Sequence, residues 1–133
     1  MAQTADTVLA AHVATAVAAL TINVNCFNAP MFDAEDAQSN KEAVFLFLDG
    51  GEKSEPLHGG QIRHPEVSIR VRGEVDEYES GRDLAQAVWD ATQFADLTGF
   101  INCELQESAP LYIGKNRSNQ HEWSMTAELW EQA

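Results

Sequence analysis

Four histidines, two cysteines and 21 Asp and Glu side chains are the groups in this 133-residue chain that could do chemistry. His12, His58, His64 and His121 show none of the i, i+4 or short-loop spacing that brings imidazoles and carboxylates together on a metal ion. Cys26 and Cys103 stand far apart, form no Cys-x-x-Cys pair, and read as small buried hydrophobes with reduced thiols. There is no G-x-S-x-G, P-loop, G-x-G-x-x-G or H-E-x-x-H motif. Gly50-Gly51 and Gly59-Gly60 do not lead into a helix whose N-terminus would bind an anion, so they read as turn glycines. The best acid–base pair is Asp49, at a strand end, with His64 across a hairpin. It lacks a nucleophile and an oxyanion donor. A small acidic cytoplasmic enzyme or regulator would need Asp49, His64 or His121 to converge; solvated surface carboxylates are the plainer account. No cofactor is implied.

Charge narrows the partners. Eight Lys and Arg against 21 Asp and Glu give a net charge of −13. Proteins that hold nucleic acid neutralise phosphates with Lys and Arg, and this chain cannot build a dominant basic face. The same electrostatics disfavour anionic membrane surfaces. The apolar run from Val8 to Leu20 follows Asp6 rather than a basic segment, is interrupted by His12 and Thr15, and is too short to span a bilayer. A cytoplasmic protein is expected. Two charged groups stand out. Asp76, Glu79, Asp83 and Asp90 form an acidic stripe offset only by Arg82. That stripe is either an ordinary solvated face or a surface that repels DNA or meets a basic partner. Arg70 and Arg72 project from one side of a strand, where they would pair with the acidic helix or with a neighbouring subunit.

The elements that position these groups follow from periodicity. Leu9, Val13, Ala16, Val17 and Leu20 predict a helix over 5–20, capped by Thr4 or Asp6, with a thin Ala-rich second face that a neighbouring subunit could cover. Thr21 to Lys41 reads as a loop anchored by Val24, Phe27, Met31 and Phe32, with part of Thr21–Phe27 as a short extra strand. Ala43 to Leu48 is a strand buried on both faces. Gly50 to Arg63 reads as an exposed, mobile loop, and His64 to Gly73 as a half-buried strand. A second helix is expected over 78–97, with Asp76 as N-cap and Gly99 as left-handed C-cap. Alternation predicts strands at Ile101–Leu105 and Trp123–Leu129, with Leu111–Ile113 continuing the former or forming a new one. The order α-β-β-α-β-β predicts one α+β domain over 1–133: a mostly antiparallel sheet of four to five strands with two helices packed on it.

The second half of the chain carries a resemblance. Pro65-Glu66-Val67-Ser68-Ile69-Arg70-Val71-Arg72-Gly73 resembles the "P-x-hydrophobic-x-hydrophobic-x-V-R-G" strand of phage minor capsid and tail-terminator proteins. An acidic turn and a helix follow, Tyr78-Glu79 to Ala87-Val88-Trp89, as in that family. Pro110-Leu111-Tyr112-Ile113-Gly114 is similar to its "P-hydrophobic-x-hydrophobic-G" segment. A polar turn with Arg117 then leads into Glu122-Trp123-Ser124-Met125, which resembles the closing strand. The similarity spans about residues 43 to 130, with boundaries good to a few positions.

The resemblance implies a non-enzymatic structural protein of the virion tail or neck, assembled in the host cytoplasm. Tail terminators of long-tailed bacteriophages form a ring, commonly a hexamer, at the head-proximal end of the tail tube. The ring stops tube polymerisation and joins tail to head. Its partners would be further copies of itself, the tail tube protein and head–tail connector proteins, with DNA passing the lumen without specific binding. A connector or tube protein of the same virion is the sibling reading. On either reading the candidate interface residues are Glu52, Lys53, Glu55 and His58 in the Gly-rich loop, Arg70 and Arg72 on the strand, and Asp83 and Asp90 on the helix.

Overall fold

Three apolar runs with period two, Val44/Leu46, Val67/Ile69/Val71 and Trp123/Met125/Ala127/Leu129, become the inner rows of one sheet and are all buried. The computed structural model describes residues 4–18, 20–22, 25–29, 41–57, 59–116 and 119–132. The elements run α1 (Ala5–Ala16), β1 (Cys26–Phe27), β2 (Ala43–Leu57), β3 (Gly60–Val75), α2 (Tyr78–Thr92), β4 (Asn102–Leu105), β5 (Leu111–Lys115) and β6 (Gln120–Gln132). The sheet is larger than the sequence predicts and is mixed. Its order is β1-β2-β3-β6-β4, β5 also pairs with β6, and β1 runs parallel to β2 while the other pairs are antiparallel. Both helices pack on one face, where Leu9, Val13, Leu84 and Val88 meet the inner rows. The other face holds a second small cluster, Phe27, Ala43 and Phe45, with the two Phe rings stacked at 5.4 Å. That is why the run from Ala43 to Leu46 is apolar at every position.

Four local expectations change. The Gly50–Arg63 segment is not a loop: it extends β2 and β3 into a long hairpin arm, with Gly51 opposite Pro65, Glu52 opposite His64 and Glu55 opposite Ile62. The glycines act as bulges within the strands, with Gly50 at φ 76° and Gly51 at φ 140°. The arm's root gains a third strand, since Ile62 and Arg63 pair with Gln132 and Glu131 of β6. Helix α1 stops at Ala16, and β-branched Val17 turns extended while staying buried. Helix α2 stops at Thr92, and Phe94, at φ 56°, takes the left-handed position expected of Gly99. Asp76 is itself left-handed at φ 60°, so Glu77 takes the N-cap position of α2, without a side-chain cap bond. The short strand expected within Thr21–Phe27 is β1, and Leu111 opens a strand of its own. Val24, Met31 and Phe32 lie outside the described residues.

One close approach fixes α2 on the sheet. A Cβ added to Gly81 would lie 3.2 Å from the Cα of Gly73 in β3 and 2.6 Å from the ring of Trp123 in β6. Only a residue without a side chain lets the helix sit this near the strands.

Candidate assembly interface

The arm is built by β-pairing and braced at its root by charge. His64 is buried; its Nε2 lies 2.7 Å from Glu55 Oε2 and its Nδ1 3.6 Å from Glu128 Oε1. Trp130 and the imidazole pack edge to face, with centroids 5.6 Å apart. Arg63 forms an ion pair with Glu131 on the neighbouring strand. Glu55 is thus both exposed and tied to the root, while Lys53 is exposed on the outer strand. Glu52 occupies the β2 position opposite His64. His58 lies outside the described residues. Beside the arm, Thr4, Ala5, Leu48, Gly50, His64 and Pro65 line part of an open cleft of about 390 Å³.

The Asp49–His64 pair does not form: Asp49 accepts a 2.8 Å hydrogen bond from Ser68 Oγ, and His64 is engaged by the glutamates. His121 bonds Tyr112 Oη through Nδ1 at 2.7 Å, away from both. Among the described residues no group of three His, Cys, Asp or Glu side chains is placed to hold a metal ion, and no helix is long and apolar enough to cross a membrane.

Arg70 and Arg72 do share a face, but it is the face without helices, so their counterion is not the acidic helix. Arg72 is buried, lies over the Phe45 ring at 5.5 Å, and donates to the Lys41 carbonyl at 3.3 Å. Glu122 on β6 supplies the negative charge, directly opposite Arg72 in the sheet. Burial raises the Glu122 carboxyl above its ordinary range, and Arg72 and Arg70 partly offset that shift. Arg72 therefore acts inside the subunit, while Arg70 remains half-buried beside Ser124. Asp83 and Asp90 lie exposed on the outer side of α2, where Asp83 meets Arg82 at 3.2 Å and Asp90 accepts from Gln86 at 2.9 Å. The arm, the arginine strand and the acidic helix are thus separate places, not one site.

The most distinctive surface is one the charged residues do not mark. Tyr78, Leu111, Tyr112 and Ile113 are 43–57% exposed around β5. Tyr78, Tyr112, His121 and Trp123 form one aromatic cluster, with centroids 5.2–6.3 Å apart. Phe94 and Ile101 are more than 60% exposed beside β4, on the same side of β6. Large rings held rigid and exposed are the usual anchors of protein interfaces. The signal was available: Leu111-Tyr112-Ile113 is apolar at consecutive positions in a short strand, where a one-face-buried strand would alternate.

Comparison with known proteins gives a fold likeness. No family model matches the chain, and no curated protein sequence matches it. Among solved structures, a chain of the "Virion of native gene transfer agent (GTA) particle" superposes with a TM-score of 0.58 at 17% identity, over 97% of this chain and 87% of that one. The fold of a virion-particle chain is therefore present over nearly the whole of this protein.

Proposed function

We propose that this chain is a structural virion protein that forms a ring at the head-proximal end of a phage-like tail tube, where it ends tube growth and joins tail to head. The observation that carries the reading is the full-length fold likeness to a chain of a gene transfer agent virion particle. The strand motif Pro65–Gly73 and the Pro110–Gly114 segment support it from the sequence side. In this reading the partners are further copies of the chain, six to a ring, together with the tail tube protein and the head–tail connector proteins. DNA passes the lumen unbound, since a subunit of net charge −13 repels phosphate. The arm reaches toward the tube end and presents Lys53 and Glu55 along its length. The protein is not an enzyme, and it acts in the virion after assembly in the host cytoplasm.

The test is solution mass by light scattering across protein concentration, salt and Mg²⁺, with negative-stain images of any large species. Closed rings with a central hole support terminator or connector. Open filaments of the pure protein point instead to a tube protein of the same virion. Replacing residues 54–62 by Asn-Gly removes the outer arm while leaving a two-residue hairpin turn. The shortened chain is expected to fold but to lose capping of isolated tail tubes. Full capping without the arm removes it from the interface.

A further inference from the structure

The sheet has two edges, and they are treated differently. The free edge of β4 is closed from within: Phe94 N–H donates to the Cys103 carbonyl at 2.9 Å, and Gln93 Oε1 accepts from the Leu105 amide at 2.8 Å. The outer edge of β5 has no strand partner among the described residues, and its side chains Leu111, Tyr112 and Ile113 are exposed on both faces. An uncovered apolar edge strand is a template for pairing with another chain, and proteins that do not use such an edge blunt it with charge, Pro or a covering segment. Among the described residues, one edge strand is covered and its neighbour is left bare.

The opposite side of the sheet offers a counterpart. β1 covers β2 only at Val44 and Phe45, so from Phe47 outward β2 has no second strand partner among the described residues. Leu48 is 43% exposed there and lines the 390 Å³ cleft. Charge distinguishes the two edges. Residues 111–115 contain Lys115 and no acid, in a chain of net charge −13. Residues 47–57 contain Asp49, Glu52 and Glu55 against Lys53, a net of 1 − 3 = −2. Two β5 edges would meet positive against positive, whereas β5 against β2 joins opposite signs.

We propose that the β5 edge, with Tyr78, Leu111, Tyr112 and Ile113, docks on the β2 edge of a second copy of this chain and seats its apolar side chains at the cleft beside Leu48. This rests on the reading of the protein as a ring-forming subunit and names the contact that would close the ring. Such a head-to-tail contact leaves one edge of each kind free on a pair, so it repeats, and it closes into a ring when the rotation between copies allows.

The experiment is disulfide trapping between two single variants, Leu48→Cys and Ile113→Cys. Cys26 and Cys103 are buried and do not compete. On mixing at about 1 mM under mild oxidation, the mixed dimer is expected to exceed either homodimer by about tenfold, because docking places the thiols at high effective concentration. A chain carrying both substitutions should run as a ladder under non-reducing conditions. Ile113→Lys, at an exposed position, should keep the wild-type circular dichroism and lose association. Ile113–Ile113 homodimers in excess overturn the proposal in favour of a two-fold contact. Mixed cross-links no more frequent than with a Gln86→Cys control on α2 also overturn it. Rings without the cross-link refute the edge and leave the ring standing. A cross-linked ladder with no closed species in the images upholds the edge and refutes the ring.

Discussion

Replacing Gly81 with Ala tests how the aromatic cluster is held. The added Cβ would lie 2.6 and 2.8 Å from two ring atoms of Trp123, while carbon atoms pack best at about 3.5–4.0 Å. About 1 Å must therefore be found. The indole cannot swing freely: it is 3% exposed and lies 5.7 Å from Tyr78 and 5.5 Å from Tyr112, centroid to centroid. Moving the helix away instead opens the Gly73–Gly81 contact. Overpacking of this kind costs about 1–3 kcal/mol, and the better helix propensity of Ala returns up to about 1 kcal/mol. The net expectation is a loss of about 1–2 kcal/mol, read by urea unfolding with an unchanged m-value. Ser80→Ala, one position away, is the control and should lie within about 0.5 kcal/mol of wild type. The near-ultraviolet circular dichroism of Gly81→Ala should change with it, because Trp123 sits among the other rings. A Gly81→Ala protein as stable as wild type, with unchanged aromatic signals, refutes the claim that this contact sets the helix.

Four further outcomes follow from the same packing. Gly51→Ala would place a Cβ 2.1 Å from the His64 carbonyl oxygen at φ 140°, so the arm should lose its register and become protease-sensitive, while the helix signal persists. Cys26 and Cys103 are both pushed up to about 11 by burial, a shift of two from 9.0. At pH 8 their thiolate fraction falls about 100-fold, so neither should react with a thiol reagent until the chain is unfolded. Glu42, Glu107 and Glu122 have carboxyls raised by burial, so the folded state keeps protons that the unfolded chain has already released. Their shifts therefore make stability rise as pH falls from neutrality through the raised range, and the gain stops growing below the ordinary carboxylate range; a titration of Tm against pH for Glu107→Gln and wild type should show the slope reduced in the variant. Phe94→Gly relieves a left-handed φ of 56° at a ring 66% exposed, so it should raise stability by about 0.5–1 kcal/mol, measured as a higher urea midpoint.

Where the chain repeats with a clean period, the sequence was readable. The rows Val67/Ile69/Val71 and Trp123/Met125/Ala127/Leu129 are strand faces because alternation leaves one buried set per strand, and α2 keeps its apolar side through Ala85 and Val88. The Gly50–Arg63 segment reads as a loop in sequence because Gly and Pro mark a bulged strand and a loop with the same letters. Only the facing residues Pro65, His64 and Ile62 separate the two. The end of α2 is hidden for a related reason: the helix ends on a left-handed residue, and Phe94 fills that position where the sequence points to glycine.

The candidate site divides the same way. Charge, enzyme motifs and the hydrophobic alternation are properties of the chain, so the α+β class was legible before folding. Which face each arginine serves depends on β6 arriving beside β3, and that pairing joins residues some fifty positions apart, as Arg72 and Glu122 do. The tertiary structure alone shows that Arg72 is internal, that His64 is clamped between Glu55 and Glu128, and that one edge strand is capped while β5 has no outer strand partner among the described residues. Local pattern fixes which side of a strand is apolar; which strand stands at the edge, and what covers it, is settled by contacts distant in sequence that no local pattern records.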